Sequence, residues 1–284
     1  MATLRDVLKN TTSTLHQHIA YSLDEAKLEA RFILEHVLKI NQKEMIQENG
    51  RLLDREDQAQ IQSITDKRIS GIPLPYLLGE WSFYGRAFKV NRNVLIPRAD
   101  TEILIEKVLS KINTCDTFHI LDLGCGTGII GITLALERPL SKVTLIDQSE
   151  DALKNTKDNL ALHQAPNITI QKSGWFGTLA KTKFDFIVTN PPYLEDNDPH
   201  LLEDLKYEPM SALISGPTGM KAIAHIIEHA KNHMNQDAWL FIEHGYNQAE
   251  IAKDLFEKNG YQHIEHAKDI HGIHRVTFGQ YSIV

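Results

Sequence analysis

One segment restricts the fold of this chain more than any other: a short apolar strand that leads through three closely spaced glycines into an apolar helix. Residues 120–128 read ILDLGCGTG, and the surrounding hydrophobic pattern predicts a strand over His119–Leu123 and a helix over 128–137. Glycines at this spacing expose backbone N–H groups, and the missing Cβ atoms let a ligand approach the main chain. The segment therefore predicts an α/β sheet with a ligand site at the end of this strand.

From about Thr101 onward, predicted strands alternate with predicted helices, which is typical of a parallel sheet with crossover helices. The further strands are expected at 143–146, 168–171, 184–189, 239–243 and 274–279. The further helices are expected at 150–163, 219–235 and 247–259. These elements indicate an α/β, Rossmann-like domain at residues 99–284.

The first 80 residues have helical periodicity and almost no strand signal. Helices are predicted over 24–38 and from 54 or 55 to 70, after which glycine and prolines break the helix. Aromatic and alternating residues between 77 and 94 predict a β-hairpin. We therefore expect three parts, namely a small all-helical domain at residues 1–80, a hairpin linker at 81–98 and the α/β domain at 99–284.

Two cofactor interpretations compete for the glycine-rich loop. A predicted strand leads into Asp147, about twenty residues after the loop, where a carboxylate can accept hydrogen bonds from both hydroxyls of a ribose. The dinucleotide fingerprint G-x-G-x-x-G fits only residues 126–131, out of phase with the loop. The pattern that is present, D-x-G-x-G-x-G from Asp122 to Gly128, resembles the cofactor loop of Rossmann-like methyltransferases. A loop of that kind wraps the methionine and ribose of S-adenosylmethionine, which has no pyrophosphate.

A second motif, Asn190-Pro191-Pro192-Tyr193, follows the predicted buried strand at 184–189. In an open α/β sheet, ligands bind at the carboxyl ends of the strands. The two prolines fix two backbone φ angles and remove two N–H donors, so the carbonyls of the turn and the Asn190 side-chain oxygen remain as acceptors. Such acceptors suit a planar nitrogen that carries hydrogens. The structural alternative is a rigid Pro-Pro turn at a strand end.

Methyl transfer to a planar nitrogen explains this arrangement of acceptors. An amide or aromatic amino nitrogen is a poor nucleophile because its lone pair is delocalised. Two acceptors that each take one N–H hydrogen bond orient the nitrogen for in-line displacement and shift electron density onto it. No general base is needed before the transition state, because the methylated nitrogen becomes acidic, and Tyr193 can lie flat against the planar group. We therefore predict Asn190, Pro191 and Tyr193 as catalytic residues, without a metal ion.

Charge and cysteine content narrow the partners and the compartment. The chain has 30 basic and 37 acidic residues, a net charge of −7, whereas proteins that bind bare DNA or RNA usually have a basic footprint. The acidic balance suits a basic protein partner. Only two cysteines occur, and Cys125 lies in the ligand loop, so we expect a reduced, cytoplasmic protein. No apolar stretch approaches the roughly 20 residues of a membrane span.

Nearly the whole chain resembles the protein-(glutamine-N5) methyltransferases of the PrmC or HemK family, which modify class 1 peptide chain release factors. Besides the two motifs above, the shared segments are residues 71–79, 83–85, 94–98, 101–102, 173–176, 198–200, 208–209, 243–245 and 272–275. The departures are modest: Ala99 stands where the family usually has a second proline, which removes no chemical group.

The resemblance implies a role for each part of the chain. S-adenosylmethionine would be held by Gly124, Cys125, Gly126, Thr127, Gly128, Asp147, Trp175 and Asn190, with Trp175 near the adenine. Asn190, Pro191, Pro192 and Tyr193 would bind the glutamine in the Gly-Gly-Gln motif of a release factor. The helical N-terminal domain would dock the release factor, and direct nucleic-acid binding would not be involved.

Other functions stay open on the residues alone. An amino-methyltransferase acting on DNA or RNA, of the adenine N6 type, would carry the same motif at 190–193. A non-catalytic binding module would keep the cofactor fold as a scaffold, although the intact Asp122 and Asp147 argue against it. The His-x-x-Glu-His pattern at 225–229 formally matches a zinc motif, but no third ligand is evident, which favours an exposed helix face.

Overall fold

Two units make up the chain in the computed structural model, which describes residues 2–19, 22–202 and 205–282. The units are Met1–Gly79 and Glu80–Val284. The described part of the first unit is helical, and that of the second is built on two β-sheets with helices between the strands.

The helices of the first unit are α1 (Leu4–His18), α2 (Leu23–Leu38), α3 (Gln42–Gln47), α4 (Arg55–Ile69) and α5 (Leu74–Leu78). The helices α1, α2 and α3 each begin with a capping box, which satisfies backbone N–H groups that the first turn leaves without partners. The apolar faces of α1, α2 and α4 bury Leu15, Ile33 and Ile61 almost completely. This confirms the helices predicted at 24–38 and at 54 or 55 to 70. The short helix α5 was not predicted, because proline favours turns but is also accepted in a first helical turn.

The elements of the second unit follow in chain order. The strands are β1 (Glu80–Phe83), β2 (Arg86–Lys89), β3 (His119–Leu123), β4 (Lys142–Asp147), β5 (Ile168–Lys172), β6 (Phe184–Thr189), β7 (Met234–Glu243), β8 (Gln262–Lys268) and β9 (His274–Tyr281). The α-helices are α6 (Thr101–Lys111), α7 (Ile129–Glu137), α8 (Glu150–His163), α9 (Lys221–Ala230) and α10 (Ala249–Lys258), with short 3₁₀ turns at Pro199–Leu201, Met210–Ala212 and Lys231–His233. The strands β1 and β2 form the predicted hairpin.

The main sheet has the strand order β5-β4-β3-β6-β7-β9-β8. The strands β5, β4, β3, β6 and β7 are parallel to one another, and β9 pairs antiparallel with both β7 and β8. From β3 the chain first builds toward β5 and then returns to β6 on the other side of β3. The reversal opens a crevice at the carboxyl ends of β3 and β6, which is the usual ligand position in such sheets.

Successive residues of the central strands serve two separate apolar cores, one on each face of the sheet. Ile120 of β3 packs in a cluster with residues of α6, α7 and α8, whereas its neighbour Leu121 packs in a cluster with residues of α9 and α10. Strands buried on both faces read as continuous apolar runs, which is why they were predicted correctly. The predicted α/β domain is confirmed, with a sheet that is mostly parallel and has β9 antiparallel to its two neighbours.

Three elements of the second unit differ from prediction, and the first is the helix α6, which was not among the predicted helices. The strand β8 was missed because five of its seven residues are charged or polar and most of them are exposed, as befits an edge strand. The helix predicted at 219–235 ends at Ala230, and β7 already begins at Met234. The first half of β7 contains Asn235, Gln236 and Asp237, whose polarity concealed the strand.

Candidate active site

The glycine-rich loop between β3 and α7 adopts a backbone that glycine accepts far more easily than other residues. Gly124, Gly126 and Gly128 have φ angles of +76°, +55° and +82°, all in the left-handed region. A Cβ at Gly128 would also lie 2.9 Å from Cγ2 of Thr156, so glycine allows α8 to pack against the start of α7. The loop borders a cavity of about 240 Å³ at the carboxyl edge of the sheet.

Asp147, the last residue of β4, lies beside this loop and lines the same cavity. Its Oδ2 accepts the backbone N–H of Gly126 at 2.9 Å, and its Oδ1 accepts the backbone N–H of Ser149 at 2.8 Å. An ionised carboxylate has about four lone-pair sites, so both oxygens can still accept hydrogen bonds from ligand hydroxyls.

Trp175 lines the cavity from the loop that follows β5. Its φ of +48° is unusual for a bulky residue, and the Ser173 hydroxyl fixes the loop by donating to the Trp175 carbonyl at 2.7 Å. A Cβ on Gly124 would lie 3.6 Å from Cζ3 of Trp175, so the indole directly borders the glycine loop. An aromatic face in this position can stack on a planar base.

Asn190 begins the turn after β6, lines the cavity and carries a buried acceptor. Its Nδ2 donates to Oγ1 of Thr101 at 3.2 Å. Its Oδ1 is buried and has no hydrogen-bond partner within the described part of the chain. Leaving such an atom without a partner costs about 1–3 kcal/mol, so a ligand that donates a hydrogen bond here gains affinity.

The structure brings most of the predicted site residues to one cavity. Its lining includes Gly124, Cys125, Gly126, Thr127, Asp147, Trp175, Asn190, Pro191 and Pro192. Two predicted residues do not line it. Gly128 forms the N-cap of α7, and Tyr193 packs against the apolar cluster that includes α9 and α10. The individual roles assigned to these residues remain predictions.

Tyr193 is tied to the body of the domain through its backbone. Its carbonyl accepts a hydrogen bond from Nε2 of Gln248 at 2.9 Å, and its N–H donates to the Leu213 carbonyl at 3.1 Å. Burial raises the pKa of the Tyr193 phenol well above its usual value, with a further contribution from Glu243. Tyr193 therefore stays neutral and cannot act as a base near neutral pH.

Glu208 supports one wall of the cavity, a function that the sequence did not reveal. It is 5% exposed, its Oε2 accepts the backbone N–H of Ile96 at 2.9 Å, and its Oε1 pairs with Arg98. These contacts hold residues 92–98, all of which line the cavity. The segments 94–98 and 208–209 are separate family-like segments of the sequence, and nothing in the sequence links them.

A second ion-pair network follows directly after this wall. The Nε of Arg275 lies 3.1 Å from Oδ2 of Asp100 and 2.9 Å from Oδ2 of Asp269. Asp269 also accepts the backbone N–H groups of His271 and Ile273. Arg275 thus joins the β8–β9 turn to the residue that precedes Thr101, the hydrogen-bond partner of Asn190.

Two carboxyls next to the site are buried. Asp122 is 0% exposed and Glu243 is 2% exposed, and burial raises the pKa of each to about 7. A hydrogen bond from the Gly131 N–H opposes the shift at Asp122, and hydrogen bonds from Thr101 and Asn190 oppose it at Glu243. One oxygen of each carboxyl, Oδ1 of Asp122 and Oε2 of Glu243, has no hydrogen-bond partner among the described residues.

The histidine pattern of α9 forms local contacts. The rings of His225 and His229 stack with 4.2 Å between their centroids, and the His229 Nδ1 donates to the His225 carbonyl. In the residues that the structure describes, no group of three or more His, Cys, Asp or Glu side chains is arranged to hold a metal ion.

Comparison with protein families and with individual relatives gives consistent results. The profile of the PrmC N-terminal domain matches residues 6–79, and that of the methyltransferase small domain matches residues 99–216. A release factor glutamine methyltransferase of Vibrio cholerae serotype O1 is 39% identical over 285 residues, which covers 99% of this chain and 97% of the relative. A protein of the same name from Escherichia coli K12 is 35% identical, covering 77% of this chain and 79% of the relative.

Solved structures agree on the fold of the sheet domain. A methyltransferase from Pyrococcus furiosus matches with a TM-score of 0.54 and 16% identity, covering 71% of this chain and 92% of that one. The 16S rRNA N2 G1207 methyltransferase of T. thermophilus, in complex with AdoMet and guanosine, matches with a TM-score of 0.53 and 14% identity, covering 71% and 49% of the two chains. Among the described residues, none of the helices has the length and apolar character needed to span a membrane.

Proposed function

The chain belongs to the family of release factor glutamine methyltransferases, and from this premise we propose that it methylates the N5 amide of the glutamine in the Gly-Gly-Gln motif of class 1 peptide chain release factors. It is an S-adenosylmethionine-dependent methyltransferase. A cytoplasmic location follows from this substrate, since translation takes place there.

The buried Oδ1 of Asn190 is the observation that carries the proposal. It is an acceptor without a partner in the described chain, and Asn190 lines the cavity together with Pro191. A primary amide brings two N–H donors to one planar nitrogen, so it can satisfy Asn190 Oδ1 and a proline carbonyl together. A carboxylate or an ester offers no such pair of donors.

These two acceptors also explain how the nitrogen becomes reactive. Each hydrogen bond draws the N–H bond toward the acceptor and leaves more electron density on the amide nitrogen. The turn fixes the proline carbonyl and Thr101 holds the Asn190 side chain, so little reorganisation is required when the transition state forms. The side chains around the site need not remove a proton first, since the nitrogen becomes strongly acidic once it is methylated.

The cavity residues fit the cofactor. When bound, S-adenosylmethionine supplies an electrophilic methyl group on a sulfonium sulfur. The open glycine backbone at 124–128 would hold its methionine and ribose portions, Asp147 would accept the ribose hydroxyls, and Trp175 would contact the adenine. The helical first unit, which the PrmC N-terminal profile matches, would dock the release factor.

The proposal is tested by incubating the protein with methyl-labelled S-adenosylmethionine and either purified release factor or DNA and RNA. We expect label on the release factor, at the glutamine of its Gly-Gly-Gln motif, as located by mass spectrometry of the tryptic peptide. A release factor with that glutamine changed to alanine is the control and should stay unlabelled. Label on nucleic acid with none on the release factor would overturn the proposal in favour of a base amino-methyltransferase.

A further inference from the structure

The carboxamide of Asn190 has an acceptor end and a donor end, and the proposed reaction requires that the acceptor face the substrate. A rotation of 180° about the last side-chain bond would present the NH₂ group to the substrate amide instead. Two donors would then face each other, and the nitrogen could not be held. Some neighbouring group must therefore favour the productive orientation.

The Thr101 hydroxyl alone does not favour either orientation of the Asn190 carboxamide. Its Oγ1 accepts the Asn190 Nδ2–H at 3.2 Å, and Thr101 is 1% exposed. A hydroxyl, however, both donates and accepts. If the carboxamide were reversed, the same hydroxyl could turn its hydrogen toward Oδ1 and form an equally good hydrogen bond.

Glu243 favours one orientation of the Asn190 carboxamide over the other. This carboxyl at the end of β7 is 2% exposed, and because Thr189 of β6 pairs with Ile242 of β7, Glu243 follows directly beside Asn190 at the ends of two adjacent strands. The neighbouring Thr101 and Asn190 side chains oppose the rise in the pKa of Glu243. The ionised form of Glu243, which predominates above its pKa of about 7, only accepts hydrogen bonds. The carboxylate therefore accepts a hydrogen bond from the Thr101 hydroxyl, so the Thr101 oxygen remains an acceptor for Nδ2 of Asn190. The carboxylate also repels Oδ1, the oxygen end of the Asn190 carboxamide.

We propose that Glu243 is a positioning residue that fixes the Asn190 carboxamide with Oδ1 toward the substrate, directly and through Thr101. It thereby makes the site select a substrate group that donates hydrogen bonds. The inference rests on the proposed function, because it takes an amide N–H as the partner of Oδ1. Glu243 itself touches neither substrate nor cofactor in this scheme and does not line the cavity.

The isosteric substitution Glu243→Gln tests the proposal, since the new amide has both a donor and an acceptor end and no longer dictates the orientation of Asn190. With release factor as substrate we expect kcat to fall about 100-fold, the usual loss when one oriented hydrogen bond at the reacting group is removed. The Kd for S-adenosylmethionine should stay unchanged. Glu265→Gln is the matched control, because Glu265 is an exposed residue of β8 that pairs with Lys111, and it should retain wild-type kcat.

Substrate preference separates positioning from a general structural defect. A release factor whose Gly-Gly-Gln glutamine is changed to glutamate presents a group of the same shape that only accepts hydrogen bonds. Added as a competitive inhibitor, it should bind poorly to the wild-type enzyme, which presents Oδ1. It should bind more tightly to E243Q, in which Asn190 can present its NH₂ group.

The Thr101 variants provide a second route if E243Q does not fold. Thr101→Val removes the hydroxyl that links Glu243 to Asn190, so it should shift inhibitor preference in the same direction as E243Q. Thr101→Ser keeps the hydroxyl and should behave like the wild type. Absence of release-factor labelling by the wild-type enzyme would refute the proposed function. Normal labelling by the wild type, with kcat and inhibitor preference unchanged in E243Q or in Thr101→Val, would refute only the positioning role.

Discussion

The carboxylate of Asp147 accepts the backbone N–H of Gly126 at 2.9 Å, which ties the end of β4 to the glycine loop at the end of β3. The same side chain accepts the N–H of Ser149 through its other oxygen. Asp147 thus shapes the cavity before any ligand is bound. We therefore expect a substitution of Asp147 to change both the affinity for the ligand and the geometry of the glycine loop.

We expect Asp147→Ala to weaken S-adenosylmethionine binding by about 10- to 100-fold, since hydrogen bonds to a charged group each contribute about 1.5–3 kcal/mol. The reason is the combined loss of the ribose acceptor and of the support for Gly126. Titration calorimetry measures the Kd, with Asp158→Ala as control because Asp158 is exposed on α8. Equal affinities for the two variants would show that Asp147 does not contact the cofactor.

Substitution of Glu208 should loosen the wall formed by residues 92–98. Glu208→Ala leaves the Ile96 N–H and the Arg98 guanidinium without their partner, and removing one member of a buried pair costs up to about 3–5 kcal/mol, less here because Arg98 is partly exposed. We expect faster hydrogen exchange in residues 92–98 and a raised KM for S-adenosylmethionine. Glu137→Ala, which breaks the part-exposed pair with Arg86, serves as the control. Unchanged exchange in both variants would mean that the wall is held by other contacts.

The buried carboxyl of Asp122 should make stability depend on pH. Burial raises the pKa of Asp122 to about 7 from a usual 3.8, so the folded state holds the proton more tightly than the unfolded state. The resulting stability is fully present below about pH 4 and is lost as the pH rises through about 7. Asp122→Asn removes this dependence, and the variant should gain on the order of 1–4 kcal/mol relative to wild type between about pH 5 and pH 8.

Urea unfolding of both proteins at these two pH values measures the effect. The other shifted buried groups, Glu243 and His244, are present in both proteins, so their contributions cancel in the difference. A difference in unfolding free energy that does not change with pH would show that Asp122 titrates normally in the folded state.

The sequence predicted the parts of the fold whose signals are local. An apolar run predicts the strand His119–Leu123, and the spacing of the glycines after it predicts the ligand loop. Two adjacent prolines mark the turn that begins at Asn190. The edge strand β8 gave no such signal, because an edge position needs no apolar alternation. The geometry of the site depends on pairs that lie far apart in sequence.

Because these pairs are far apart in sequence, the sequence did not predict the geometry of the site. Thr101 and Asn190 are 89 residues apart, and Arg98 and Glu208 are 110 residues apart. Each of these residues belongs to a family-like segment, but spacing along the chain does not reveal which segments meet when parallel strands bring their ends together. Thr101 begins α6 and Asn190 follows β6, so the packing of α6 on β6 and β7 brings this pair together.

The final prediction concerns Gly219, which packs against the backbone of Tyr193. A Cβ at this position would lie 2.2 Å from the Tyr193 carbonyl oxygen and 2.8 Å from Nε2 of Gln248, the group that donates to that oxygen. Gly219→Ala must therefore displace the end of the motif at 190–193. We expect a large loss of kcat with little change in the Kd for S-adenosylmethionine, since neither Gly219 nor Tyr193 lines the cavity.

Gly272→Ala is the matched control for this variant. Gly219 and Gly272 have φ angles of +69° and +81°, so alanine at either position carries a similar left-handed backbone strain of about 1–2 kcal/mol. At Gly272 nothing lies within 4 Å of the added Cβ, so only the strain remains. Thermal unfolding and steady-state kinetics of both variants separate the two effects: strain lowers both melting temperatures, and only displacement of Tyr193 lowers kcat. Equal kcat values for the two variants would show that the position of Tyr193 does not matter for methyl transfer.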